Sequence, residues 1–99
     1  MSRLRVRKIA RAEIVAAFEW YLHRFPAAAQ QFLHAVEEAM RMIEESPERY
    51  PVIRGHLRRL LLQRFPYAIY YKVFPMTISV VGVIHGHRHQ DSWLQRVEP

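Results

Sequence analysis

Residues 67–85 of this 99-residue chain, YAIYYKVFPMTISVVGVIH, carry the pattern that decides the fold. The stretch is rich in tyrosine, isoleucine and valine, which favour β-strands. Its middle, Phe74-Pro75-Met76-Thr77, suits a tight turn with proline at the second position. The pattern therefore predicts two consecutive strands, 67–74 and 78–85, that pair antiparallel in a meander.

Two further segments extend this sheet. Residues 57–65 form a run rich in leucine and arginine and predict a strand before the pair. At the N-terminus, Leu4 and Val6 alternate with arginines, which is typical of a short strand.

The segment between these strands has helical periodicity. Residues 10–25 place apolar side chains three or four positions apart, so that these side chains share one face: Ile14, Phe18, Tyr21 and Phe25. Pro26 interrupts the pattern and suits the first turn of a second helix, 27–45. Ser46-Pro47 ends it, because proline disfavours helix at the preceding residue. The direct junction predicts an antiparallel helical hairpin.

The order of strand, two helices and three strands predicts an α+β fold in one domain, residues 1–99. We expect the N-terminal strand and the hairpin to accompany an antiparallel sheet of about four strands. The helices would cover one face, and the other face would stay partly open and carry arginines. Tyr70 and Tyr71 would point to opposite faces, as would Arg58 and Arg59. One of the two arginines would then be free, and the other would lie at an edge or pair with a helix glutamate.

Composition restricts the chemistry and the compartment. The chain has no cysteine, which excludes disulfides and thiolate metal sites. The arginines at the N-terminus leave no apolar run for a signal peptide, and no stretch is apolar for long enough to span a membrane. We therefore expect a cytoplasmic protein without a cofactor.

Charge is concentrated in the second half of the chain. Residues 1–48 contain seven Lys/Arg and seven Glu, whereas residues 49–99 contain eight Lys/Arg and only Asp91 and Glu98. The net charge of +6 therefore lies in the second half. Such a surface fits an acidic partner, either nucleic acid or an acidic protein segment, or it serves solubility alone.

Several motifs together resemble the ParE/RelE superfamily of toxins, and more closely its ParE (plasmid stabilisation) branch. In chain order they are Phe18-Glu19-Trp20-Tyr21, Phe32, Pro47-Glu48-Arg49-Tyr50-Pro51, residues 58–67, and His85-Gly86-His87-Arg88 with Trp93 and Arg96. Gln90 stands where the family often has proline.

The resemblance implies the toxin component of a type II toxin–antitoxin system. ParE-type members inhibit DNA gyrase, whereas RelE-type members cut messenger RNA on the ribosome. An antitoxin usually wraps an acidic segment around the toxin and neutralises it. We therefore expect DNA gyrase and a cognate antitoxin as partners, with a homodimer or a toxin–antitoxin hetero-oligomer left open.

The RelE-type set of nuclease residues looks incomplete. An arginine of those enzymes falls at Ala68, and their terminal tyrosine falls near Trp93, which has no useful exchangeable proton. We therefore expect a ParE-like toxin that acts by binding. The expected partner-binding residues are Arg58, Arg59, Arg64, Arg88, Trp93 and Arg96.

Two alternatives stay open. The first is an mRNA endoribonuclease that uses Arg58, Arg59, His87 and Arg88. The second is an inactive basic relic that still binds an antitoxin.

A histidine cluster supports the nuclease alternative. His85, His87 and His89 would share one face of a strand, and histidine titrates near neutral pH. We expect no metal there, because Asp91 is the one carboxylate nearby. The sequence leaves open whether the cluster is catalytic or structural.

Overall fold

A computed structural model describes residues 3–86. Its elements are β1 (Arg3–Val6), α1 (Lys8–Arg24), α2 (Pro26–Glu45), β2 (Val52–Arg54), β3 (Leu57–Leu61), β4 (Tyr67–Val73) and β5 (Thr77–His85). This arrangement confirms the predicted α+β fold with a helical hairpin. No helix in this part of the chain is long and apolar enough to cross a membrane.

The strands form one mixed sheet in the order β1-β5-β4-β3-β2. Strands β3, β4 and β5 pair antiparallel, as predicted, and the unpredicted β2 pairs antiparallel with β3. Strand β1 pairs parallel with β5. The sheet has five strands where about four were predicted, because the short β2 pairs with the start of β3 through a turn at Gly55. The backbone of Gly55 has a φ of 55°, which favours glycine.

The two helices differ in how their apolar residues are distributed around the helix axis. In α2 the buried side chains recur at helical spacing: Ala29, Phe32, Val36, Ala39 and Ile43. Its opposite face is solvated, and there Arg41 pairs with Glu38 and Glu45. In α1 apolar residues lie all around the axis, so several of them remain exposed after the helix has packed.

Aromatic rings join the hairpin to the sheet. The ring centroids of Tyr21 and Phe65 are 5.3 Å apart, and those of Phe32 and Tyr67 are also 5.3 Å apart, both in edge-to-face geometry. Such pairs add about 1 kcal/mol each beyond the area that they bury. Tyr21 belongs to the buried core under the helices.

The segment between α2 and β2 is tied to the sheet by Tyr71. The Tyr71 hydroxyl donates a 2.7 Å hydrogen bond to the backbone carbonyl of Pro47. Burial raises the pKa of Tyr71 to about 12, so the phenol keeps its proton at neutral pH. Tyr71 lies in the core under the helices, whereas Tyr70 lies in a smaller apolar cluster on the other face. The expected opposite orientation of the two tyrosines is thereby confirmed.

A β-bulge in β5 links the sheet to α1. Tyr70 is in register with Gly82 and Tyr71 with Val80, so Val81 is an extra residue between them. Beyond this bulge, the Val83 N–H donates a 2.9 Å hydrogen bond to the Glu13 carboxylate of α1. The bulge lets Val80 and Val83 both contribute to the core under the helices.

Candidate functional site

Charge is segregated between the two layers of the fold. Residues 49–86 contain six Lys/Arg and no Asp or Glu. Within residues 3–86, every acidic side chain lies on α1, on α2, or at Glu48 in the segment after α2. The sheet is therefore the cationic layer, and it fits an acidic partner.

Arg58 is held in place by hydrogen bonds to the backbone of the segment between α2 and β2. It is in register with Tyr71 and points to the same face. Its Nη1 donates to the carbonyl of Tyr50 at 2.6 Å and to that of Glu48 at 3.1 Å. These are the carbonyls of the segment between α2 and β2, so Arg58 anchors that segment instead of pairing with a helix glutamate.

Arg59 lies on the opposite face, in register with Tyr70. The side chain is half-buried, and its Nε is buried without a hydrogen-bond partner among residues 3–86. Buried N–H groups are normally bonded, because desolvation without a partner costs about 1–3 kcal/mol. This donor makes Arg59 a candidate for contact with an acceptor outside the described residues.

Arg64 lines a groove between α2 and the end of β3. The groove has a volume of about 380 Å³, and Arg49 also contributes to it. Its apolar lining comes from α2 and from residues at the sheet edge: Ala35, Ala39, Met42, Leu60, Leu61 and Leu62. Glu38 lines the groove as well, but its carboxylate pairs with Arg41 on the solvated side of α2. An apolar groove in which Arg49 and Arg64 outnumber this one paired carboxylate fits a segment that carries both apolar and acidic side chains.

The sheet edge beside this groove is open within the described part of the chain. Strand β2 is in register with Arg58 and Leu57 alone, so it does not extend along Leu60 and Leu61. Leu61 is 61% exposed. Such an edge accepts an added strand through its backbone N–H and C=O groups.

Exposed apolar side chains also lie on several sides of α1 and on the residue that follows it. They are Ile9, Val15, Trp20, Leu22 and Phe25. Trp20 and the 60% exposed Phe25 are adjacent and form what we call the α1 surface. The Trp20 ring packs edge-on against Tyr21 and carries the Arg24 guanidinium at 4.6 Å. Exposed apolar surface of this kind is typical of a contact with another protein.

His85 packs against the aromatic cluster. Its ring lies edge-on to that of Tyr67 at 5.2 Å, and the two residues are in register. This contact gives His85 a packing role. Within residues 3–86, no group of three potential metal ligands occurs.

The C-terminal residues that the sequence singled out lie outside the described residues. They are His87, Arg88, His89, Trp93 and Arg96. Of the candidate residues, the structure describes Arg58, Arg59, Arg64 and His85. It does not bring these four side chains together at one site. Arg58 and Arg59 diverge across the sheet, and Arg64 lies in the groove at the sheet edge.

Sequence reasoning missed three contributors. The groove depends on α2 packing beside β3, the Arg58 anchor uses backbone carbonyls, and Glu13 binds a bulged strand. The pair Val81-Gly82 in the middle of a strand was the available signal for the bulge, since glycine inside a strand often marks one.

These features define a small α+β domain with a cationic sheet and apolar partner surfaces. Residues 4–90 match the family model described as "ParE toxin of type II toxin-antitoxin system, parDE", and the chain belongs to this family. The fold is similar to that of a solved structure titled "Chromosomal ParDE TA system from P. aeruginosa". The TM-score is 0.77 at 19% identity, over 86% of this chain and 96% of that chain. A comparison with curated proteins finds no match.

The anchoring role of Arg58 predicts a stability difference between two arginines. Arg58→Ala should lower the free energy of unfolding by about 1–3 kcal/mol, because two backbone carbonyls lose their donor. Arg64→Ala removes the same charge from an exposed loop and should change it by less than about 0.5 kcal/mol. Urea unfolding of both variants measures the difference, and equal midpoints would contradict the anchor.

Proposed function

We propose that this ParE-family chain arrests bacterial growth by binding DNA gyrase, without bond-breaking chemistry of its own. We further propose that it acts in the cytoplasm and is neutralised by an antitoxin encoded beside it. The observation that carries this proposal is the use of the central strands for anchoring and packing.

The central strands offer little for phosphodiester cleavage. Such a reaction needs a base, an acid and a cation that meet at one phosphate. Ala68, at the position of a RelE-type arginine, is 1% exposed and lies in the apolar cluster with Tyr70. Arg58 holds backbone carbonyls, and Arg59 points to the opposite face. This dispersal supports binding over cleavage.

The groove beside β3 supports the proposed antitoxin contact. An extended segment placed along Leu60 and Leu61 would add a strand to the sheet and bury the exposed Leu61 side chain. Arg49 and Arg64 would then meet its acidic side chains. Backbone pairing supplies affinity and the two cations supply specificity for acidic residues.

The α1 surface supports a second contact with the same antitoxin. Trp20 and Phe25 are large, exposed and adjacent, with ring centroids 6.3 Å apart. Buried aromatic anchors dominate the binding energy of many protein interfaces. A segment that wraps the toxin would cover this surface with its own apolar side chains.

Induced expression in bacteria tests the proposed mode of action. We expect growth arrest with intact messenger RNA and with DNA-break signalling. His87→Ala should leave the arrest unchanged, since a gyrase binder needs no acid–base group there.

Each other outcome contradicts the proposal in a different way. Cut messenger RNA that becomes intact in His87→Ala would identify a nuclease. No arrest, together with retained antitoxin binding, would identify an inactive relic.

The groove predicts a charge-specific loss of antitoxin binding. Arg64→Glu should weaken binding to the product of the adjacent gene by at least about tenfold, because a like charge would then face the acidic segment. The matched control is Lys72→Glu on β4, outside the groove. This variant should weaken antitoxin binding much less, because salt at physiological ionic strength screens a charge that does not contact the segment. Calorimetric titration measures both, and equal weakening would show that net charge alone, not the groove, governs binding.

A further inference from the structure

The face of the sheet opposite the helical hairpin, called the second face below, carries an apolar cluster that is buried. Tyr70 is 2% exposed and Ile84 is 3% exposed. All members of the cluster come from the strands, and none from a helix: Ile53, Leu57, Ala68, Tyr70, Val81 and Ile84. Because these side chains project from one face, neighbours within the sheet cover their flanks but not their ends. A further layer is needed to bury them.

Leu61 shows what happens to a side chain on this face without such a layer. By strand alternation, it projects to the same side as Leu57 and Arg59. It is 61% exposed, whereas Leu57 is 3% exposed. The layer over the cluster therefore ends before Leu61.

Arg59 gives an independent indication of this layer. It is in register with Tyr70, and its Nε is buried without a hydrogen-bond partner among residues 3–86. Long cationic side chains can themselves cover apolar neighbours, but they then keep their charged group in water. The buried Nε therefore indicates that a group with a hydrogen-bond acceptor lies over Arg59.

Residues 87–99, which lie outside the described residues, are long enough to provide the layer. They follow Gly86 directly after β5, whose Val81 and Ile84 belong to the cluster. Strand β2 is three strand spacings away from β5, or about 14 Å. Thirteen residues of extended chain span up to about 43 Å. The two residues that precede β1 are too few to cross the sheet.

The composition of residues 87–99 also matches the second face. Trp93, Leu94 and Val97 supply apolar side chains for the cluster. Asp91 and Glu98 are the only acidic residues in the second half of the chain. A carboxylate makes a strong, charge-assisted hydrogen bond with a guanidinium N–H, so either residue suits Arg59.

We propose that residues 87–99 dock on the second face of their own chain. Trp93, Leu94 and Val97 cover the apolar cluster, and a carboxylate of the same segment accepts a hydrogen bond from Arg59 Nε. The docking has a consequence for partner binding. Arg88 and Arg96 would lie on the side of the sheet away from the hairpin, so a partner of these arginines and an antitoxin in the groove would use different surfaces.

Tryptophan fluorescence of the full chain tests the docking. Trp20→Phe leaves Trp93 as the one tryptophan, and the control Trp93→Phe leaves Trp20, which is 45% exposed. The emission of Trp93 should lie at a shorter wavelength than that of Trp20, and acrylamide should quench it less. An emission of Trp93 as red-shifted and as easily quenched as that of Trp20 would overturn the proposal.

A spin label locates the contact. The chain has no cysteine, so Ser92→Cys provides a single labelling site. The label should broaden the amide signals of Tyr70 and Ile84 more than those of Ala35 and Met42, which line the groove. Stronger broadening in the groove would overturn the proposal. Broadening that increases with protein concentration would also overturn it, because a second copy would then provide the layer.

Urea unfolding tests the contact with Arg59. Arg59→Gln should lower the unfolding midpoint of the natural chain. It should have little effect in a chain that carries Asp91→Asn and Glu98→Gln, because the pair is already lost there. The control Arg64→Gln, in the groove, should act equally in both chains.

Equal effects of Arg59→Gln in the two chains would overturn the carboxylate contact. This inference goes beyond the proposed function and can fail without it, because none of its three tests involves gyrase or the antitoxin.

Discussion

The packing of the helical hairpin on one face of the sheet is the constraint on which the rest of the structure depends. Tyr21 and Phe32 meet Phe65 and Tyr67 at ring-centroid distances of 5.3–6.5 Å, and this contact commits one sheet face to the core. Two consecutive helices joined at Phe25 cover a single face. The other face holds the smaller apolar cluster with Tyr70 and, beside it, Arg59, so the groove and the exposed partner surfaces lie toward the sheet edges and on α1.

The segment between α2 and β2 uses polar side chains of the sheet for structural hydrogen bonds, although their residue types suggested a functional role. The chain must leave α2, cross the sheet and start β2, and its carbonyls at Pro47, Glu48 and Tyr50 need donors. Tyr71 and Arg58 supply them from neighbouring strands. Arg58, a strand arginine in a ParE-family chain, thus has a structural role, and the charges free of this anchoring role are Arg59 on the other face and the arginines of the groove.

Much of the fold followed from local patterns, and the remainder depended on long-range pairing. Apolar spacing predicted both helices, with boundaries within two residues of those found, and alternation predicted that Arg58 and Arg59 diverge. The parallel pairing of β1 with β5 was not predicted, since pairing between residues 74 positions apart leaves no local signal. Strand β2, only three residues long, is too short to show periodicity. For the site, sequence identified the cations but not which of them anchor backbone, because that depends on where carbonyls lie in the folded chain.

We propose that this ParE-family toxin acts by binding gyrase and not by cutting nucleic acid. The first measurement is DNA supercoiling by purified gyrase with increasing amounts of the full chain. In parallel, the chain is incubated with messenger RNA on ribosomes, and the RNA is checked for cleavage. We expect supercoiling to fall in a saturable way and gyrase–DNA cleavage complexes to accumulate, while the RNA stays intact. Unchanged supercoiling together with cleaved RNA would contradict it.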